Sequence, residues 1–74
     1  MELDDSHINI NYRLPDKSGS YLVYVKFNYV SGYCELVGEY IINQGWSKET
    51  LDLIKCLNIG KKITHWKKFN RLYL

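Results

Sequence analysis

The sequence predicts an α+β domain: a small twisted antiparallel sheet in the order β-β-β-α-β, with one helix packed on a face. Three observations predict it. Runs of period-two alternation recur through the first forty residues and are separated by short polar turns. One capped stretch of helical periodicity follows, and a further alternating run comes after it. Strands joined by short loops pair antiparallel, and a lone amphipathic helix buries its stripe on the sheet.

Each element has its own signal. Ile8, Ile10, Tyr12 and Leu14 alternate with Asn9, Asn11 and Arg13, which predicts a strand with one buried face, ended by Pro15. Asp16 to Ser20 is a loop by composition. Residues 21–29 form the strongest strand: Tyr21, Val23, Val25, Phe27 and Tyr29 make the core face, and Leu22, Tyr24, Lys26 and Asn28 a half-wet one. Ser31-Gly32 makes the hairpin turn, and the return strand runs from about Tyr33 to Ile42. Gly38 in that strand marks a bulge or a close approach by another element.

Ser47 is the predicted N-cap of the helix, with Glu49 in the first turn and Trp46 and Leu51 at the spacing of a hydrophobic staple. Leu53, Ile54 and Leu57 give the buried stripe, and Leu51 and Cys56 lie at its margins. Lys55 suits the C-terminal dipole, and Asn58 or Gly60 ends the helix, Gly60 being well suited to a left-handed cap. Residues 61–69 return as a lysine-rich edge strand. Its buried face stays open, because Ile63 and Trp66 have opposite parity.

At 74 residues, 46% apolar and 15% aromatic, the chain reads as one domain over residues 1–74, with residues 1–6 a loose N-terminal segment. It is too apolar for a disordered tail. No apolar run is long enough to cross a bilayer, so no membrane association is expected. The acidic start, Met1 to Asp5, is unlike a secretory signal. Cys34 and Cys56 are then expected as two buried thiols in a reducing cytosol, with a single bridge as the alternative.

Charge is unevenly distributed. All eight acids lie in residues 1–52 beside only Arg13, Lys17, Lys26 and Lys48, whereas residues 53–74 carry Lys55, Lys61, Lys62, Lys67, Lys68 and Arg71 and no acid. A basic end on an acidic body points to an anionic partner or to a match between the two halves.

The chemistry-bearing residues form no catalytic pattern. His65 beside Trp66 has no nucleophile or carboxylate at a motif spacing, and a strand histidine beside a core tryptophan accounts for the pair. Cys34, Cys56, His7 and His65 lack the close-spaced ligand pairs of a structural zinc site. The five glycines are dispersed, so there is no phosphate loop. Glu35 and Glu39 stand about 13 Å apart along one strand, too far for a glycosidase pair. The chain is therefore expected not to be an enzyme and to need no cofactor and no metal.

Binding is the better-supported class. Lys61, Lys62, Lys67, Lys68 and Arg71 interleave with His65, Phe69 and Tyr73, and Trp66 lies among them. Cations fix phosphates and aromatic rings stack bases, so this segment suits an acidic protein patch or single-stranded nucleic acid. Seven tyrosines and two tryptophans exceed what so small a core buries, and Tyr24, Tyr33 and Tyr40, with Tyr73, are the candidate surface anchors. Excess surface aromatics also make a homodimer an expected possibility.

Two further segments carry a resemblance: Arg13-Leu14-Pro15, a polar loop and Tyr21-Leu22-Val23-Tyr24-Val25; then Gly38-x-Tyr40, Gly45-Trp46 and Ile63-Thr64-His65-Trp66. In this order, over about residues 8–66, they resemble domain-of-unknown-function family 551, small domains common in phages and prophages. His7 stands where that family usually has its first tryptophan, and Lys67-Lys68-Phe69 replaces its usual Met-Pro-Leu. The resemblance implies a mobile-element origin, a compact β-rich fold and a cytoplasmic location in a bacterial host; it implies no activity and no site residues. The resulting expectation is a non-catalytic phage accessory protein that binds and modulates a host protein or ribonucleoprotein, most concretely a host-defence inhibitor of the anti-CRISPR kind. The alternative is a small RNA- or single-stranded-DNA-binding domain that uses the basic C-terminal strand.

Overall fold

Alternating aromatic and β-branched residues extend the backbone into the three long strands of the sheet. The structure, a computed structural model, describes residues 2–69. Its elements are β1 (Ile8–Asn9), β2 (Gly19–Phe27), β3 (Tyr33–Ile41), β4 (Gly45–Trp46), α1 (Lys48–Leu57) and β5 (Gly60–Lys68). The sheet order is β1-β5-β2-β3-β4, and every neighbouring pair is antiparallel. This is the expected α+β arrangement, with a two-residue strand inserted before the helix.

The helix side of the sheet holds the core. Tyr21, Val23 and Val25 of β2, Tyr40 of β3, Ile63 and Trp66 of β5 and Ile54 of α1 are all buried and form one cluster. Ile8, Ile10, Leu36 and Trp46 pack at its margins. Aromatic edges bind the cluster: the Tyr21 ring meets Trp66 edge-on with centroids 5.2 Å apart, and Tyr40 meets Trp46 at 5.0 Å.

The parity conflict in β5 is resolved by an extra residue. Tyr24 pairs with His65 but Val25 pairs with Ile63, so Thr64 is bulged out of the ladder and both Ile63 and Trp66 turn to the core. A second shift between Val25 and Phe27 places Gly60 opposite Phe27. A Cβ on Gly60 would collide with the Lys26 carbonyl and the Val25 side chain, so only glycine fits there.

Several expectations are corrected. The first strand is two residues long rather than running to Leu14, because the chain turns at Asn9–Tyr12, where Tyr12 and Arg13 donate their N–H groups to the Asn9 carbonyl. β2 ends at Phe27, where Phe27 N–H donates to Gly32 O across the turn; Tyr29 is therefore loop, 91% exposed, and not part of the core face. Asn58, not Gly60, takes the left-handed C-cap, at φ 54°, and returns its N–H to Ile54 O. Cys56 is exposed and Cys34 half-buried, both as free thiols, so they are not a buried pair.

The helix stripe is also narrower than expected. Only Ile54 and Thr50 are buried, while Leu51, Leu53 and Leu57 remain 42–49% exposed. The helix rests on β5 and β3, and beyond β3 the sheet offers only the two residues of β4, so the flanks of the helix overhang without a strand beneath them. Ser47 caps as expected: its Oγ accepts from Thr50 N–H at 3.1 Å. Gly38 does mark a close approach, since a Cβ there would lie 2.9 Å from Thr50 Cγ2. No helix among the described residues is long and apolar enough to cross a membrane.

Candidate functional site

β5 is not an edge strand. β2 pairs along most of its length, and β1 covers its other side at His65 and Trp66. The lysines consequently separate into two groups at opposite ends of the strand, roughly 20 Å apart by strand rise. Lys61 and Lys62 are exposed beside the C-terminal end of α1 and line a hollow of about 300 Å³ with Lys55 and Asn58. Lys67 and Lys68 lie at the other end, Lys67 opposite Leu22 and Lys68 opposite Tyr21, so their side chains leave on opposite faces.

That second end is where cations and aromatic rings converge. Two adjoining grooves, of about 490 and 680 Å³, share Arg13, Trp66, Lys68 and Phe69. Lys17 and Asp16 line the first, and Lys67 and Glu35 the second. Arg13 is the member that sequence reasoning missed. The turn at Asn9–Tyr12 swings it back over the sheet, where its carbonyl accepts from Trp66 Nε1–H at 3.0 Å and its guanidinium sits 5.9 Å from the Trp66 ring centroid. Tyr21 Oη–H donates to Lys17 O at 2.9 Å and fixes the loop that carries Lys17. The only signal for this arrangement was Pro15, which ends the strand but does not say where Arg13 points. Arg71 and Tyr73 lie outside the described residues.

The face opposite the helix carries a polar cluster. Tyr24 is fully buried there, and its Oη–H donates to Glu35 Oε2 at 2.6 Å. Burial first, then the Glu35 carboxylate, raises the Tyr24 hydroxyl well above the usual phenol range. His7 covers Tyr24 edge-on, with ring centroids 4.6 Å apart. His7 Nδ1 lies 2.9 Å from Asp4 N and 3.0 Å from Asp4 Oδ1. Asp4 Oδ1 also accepts from Ser6 Oγ–H and Ser6 N–H; these two bonds are the largest causes that lower the Asp4 carboxyl.

His65 belongs to the same face. It is half-buried, its Nδ1 is 2.8 Å from Thr64 Oγ1, and the Tyr33 ring stands edge-on at 5.8 Å. Burial, and secondarily the charge of His7, lowers its pKa below 6.5. Tyr33 is half-buried, whereas Tyr24 and Tyr40 are buried and are corrected as surface anchors: Tyr24 is roofed by His7, and Tyr40 lies in the core under Trp46. The exposed tyrosines are Tyr12, 83% exposed in the turn after β1, and Tyr29 in the β2–β3 loop.

The Tyr24 hydroxyl, the Asp4 carboxylate and Nδ1 of both His7 and His65 are thus engaged in hydrogen bonds. No group of three or more metal-ligating side chains occurs among the described residues. These bonds hold the face together. No family model, no curated protein and no solved structure matches the chain.

Proposed function

We propose that the chain is a non-catalytic interaction protein whose contact surface is the cationic and aromatic end of β5, and that it acts as a mobile-element accessory protein that binds and modulates a macromolecule of its bacterial host. A host-defence inhibitor of the anti-CRISPR kind, working in the host cytoplasm, is the most concrete form of this reading. The observation that carries the binding part is the convergence of Arg13, Lys67 and Lys68 around Trp66 and Phe69, two segments more than fifty residues apart in sequence. Such a surface attracts an acidic protein patch or the phosphates of a ribonucleoprotein, and the half-buried Phe69 ring offers area to pack against, while Trp66 serves as its buried floor. The mobile-element part rests on the motif resemblance alone.

The binding class is further favoured over catalysis by the state of the titratable groups. Tyr24 is held protonated by burial and by Glu35, and His65 is turned onto Thr64. A general base needs a free lone pair within reach of a substrate proton, and the Tyr24 hydroxyl, buried and donating to Glu35, offers none. The second reading, a small RNA- or single-stranded-DNA-binding domain, draws on the same cations and rings.

Capture from a bacterial lysate, with and without nuclease treatment, separates the two. The leading reading expects a protein retained after nuclease treatment by the native chain and lost with the Lys67→Glu, Lys68→Glu double variant. Retention that disappears with nuclease favours the nucleic-acid reading. Retention unchanged by the double variant removes this surface from both.

A further inference from the structure

Among the described residues, the backbone hydrogen bonds of β3 leave one side of that strand open between Tyr33 and Val37. Glu39 N–H donates to Thr50 Oγ1 at 2.9 Å, and Glu39 O accepts from Ser47 N–H at 2.8 Å, so the peptide groups of Glu39 face away from β2. In an antiparallel ladder alternate residues face alternate sides, so Tyr33, Glu35 and Val37 also present their N–H and C=O groups away from β2. β4 pairs only with Tyr40 and Ile41 and does not reach them. The contact recorded at these groups is a weak one, from the Cys34 thiol to Glu35 O at 3.9 Å.

This open edge has a definite chemistry. Glu35 and Val37 are exposed, Leu36 is half-buried, and the overhanging helix adds exposed Leu53. A groove of about 460 Å³ runs between the edge and the first turns of α1, lined by Val37, Glu39, Glu49, Thr50 and Leu53 and by no basic side chain. Alternation along β3 puts Glu35 and Glu39 on the face away from the helix and Leu36 on the helix side, where Ile54 anchors α1.

We infer that the β3 edge is a docking site for an extended basic segment of another protein, which adds a strand to the sheet. The added strand would pair along Tyr33 to Val37, where it would place lysine or arginine opposite Glu35 and apolar side chains beside Leu36 and Leu53; a further basic side chain beyond its paired end would meet Glu39 and Glu49, which line the adjoining groove. Main-chain bonds to Tyr33, Glu35 and Val37 supply the pairing, and the alternate pockets supply the choice of partner. Charge complementarity selects a basic occupant, since Glu39 and Glu49 line the groove and no basic side chain does. Two β3 strands centred on Glu35 would set Glu35 against Glu35, whereas a register centred on Leu36 would set Glu35 against Val37, so pairing between copies is the competing outcome that the concentration dependence below reads. An acidic edge repels acidic and apolar strands and accepts basic ones. The inference goes beyond the function proposed above, and Glu35 marks the border of the two surfaces, since it also lines the groove of Lys67 and Lys68.

Amide exchange of the full chain, followed residue by residue, tests the inference. The probes are two synthetic peptides of alternating valine with either lysine or glutamate. The lysine peptide should slow exchange at Tyr33, Glu35 and Val37 by about tenfold or more, while Cys34 and Leu36, already bonded to β2, change little. The glutamate peptide should have no effect. Glu39→Lys with Glu49→Lys should reverse the preference between the two peptides. Val37→Pro, which removes one outward donor and leaves the charges intact, should weaken the lysine peptide alone. Protection by neither peptide, equal protection by both, or protection that grows with protein concentration without peptide would each overturn the inference.

Discussion

Ile54 is the side chain that ties the helix to the sheet. It is 3% exposed and is the one helical residue in the core cluster. Ile54→Ala should destabilise the protein by about 2–4 kcal/mol, read as a lower urea midpoint. A loss near zero would mean that α1 is anchored elsewhere. Gly38 is the matching residue on the sheet. Gly38→Ala would press a methyl against Thr50 Cγ2 and both methyls of Val23, and should cost about 1–3 kcal/mol by the same assay.

His65 supplies a pH-dependent counterpart. Its folded pKa lies below the unfolded value of 6.5, so the unfolded chain binds the proton more readily. The stability this residue provides is full above that unfolded value and declines as pH falls through 6.5 toward the folded value. Melting temperatures across this window should drop less for His65→Asn than for the native chain. Equal slopes would show that His65 is not the responsible group. The lowered Asp4 carboxyl acts in a separate window: its contribution is present above 3.8 and is lost only as pH falls through the folded value beneath that. At this scale the sequence was informative for caps and glycines, because Ser47 and Gly38 act through local geometry. It was silent on His7 and Tyr24, because the turn that lays one ring on the other depends on backbone bonds at Asp4 that no periodicity encodes.

Among the elements, β2 and α1 were legible, and β1 and the face of β5 were not. β2 has nine residues of aromatic and β-branched alternation, and its buried positions follow that alternation except at Tyr24. β1 fails because the Asn9 carbonyl draws two amides into a turn, and a side-chain pattern does not reveal that competition. β5 fails for a different reason: its two register shifts break the period on which a face assignment rests. Deleting Thr64 tests this element directly. The deletion would restore strict alternation and force Ile63 and Trp66 to opposite faces, so it should unfold the domain or lower its stability by more than Ile54→Ala does. A stable, native-like deletion variant would contradict the role assigned to the bulge.

For the whole molecule, the division of charge along the sequence is only partly kept in space, since Arg13, Lys17, Asp16 and Glu35 join Lys67 and Lys68 in the grooves at one end of β5. The acidic edge of β3 and the cationic end of β5 lie on different strands, with β2 between them. The basic C-terminal third was legible as a signal, but not its splitting into two ends, nor the recruitment of Arg13 to one of them, since both follow from the register of β5 and the turn after β1.

The proposed function has Lys67 and Lys68 steer an anionic partner to the groove around Trp66 and Phe69. The most direct measurement is the association rate of the nuclease-resistant partner captured from lysate, compared between the native chain and the Lys67→Glu, Lys68→Glu variant over a range of salt concentrations. With both chains folded by circular dichroism, the variant should associate at least about tenfold more slowly at low salt, and the two rates should converge as screening shortens the reach of the charges. Equal rates at low salt would contradict the account and leave these lysines as a solvated end of the sheet.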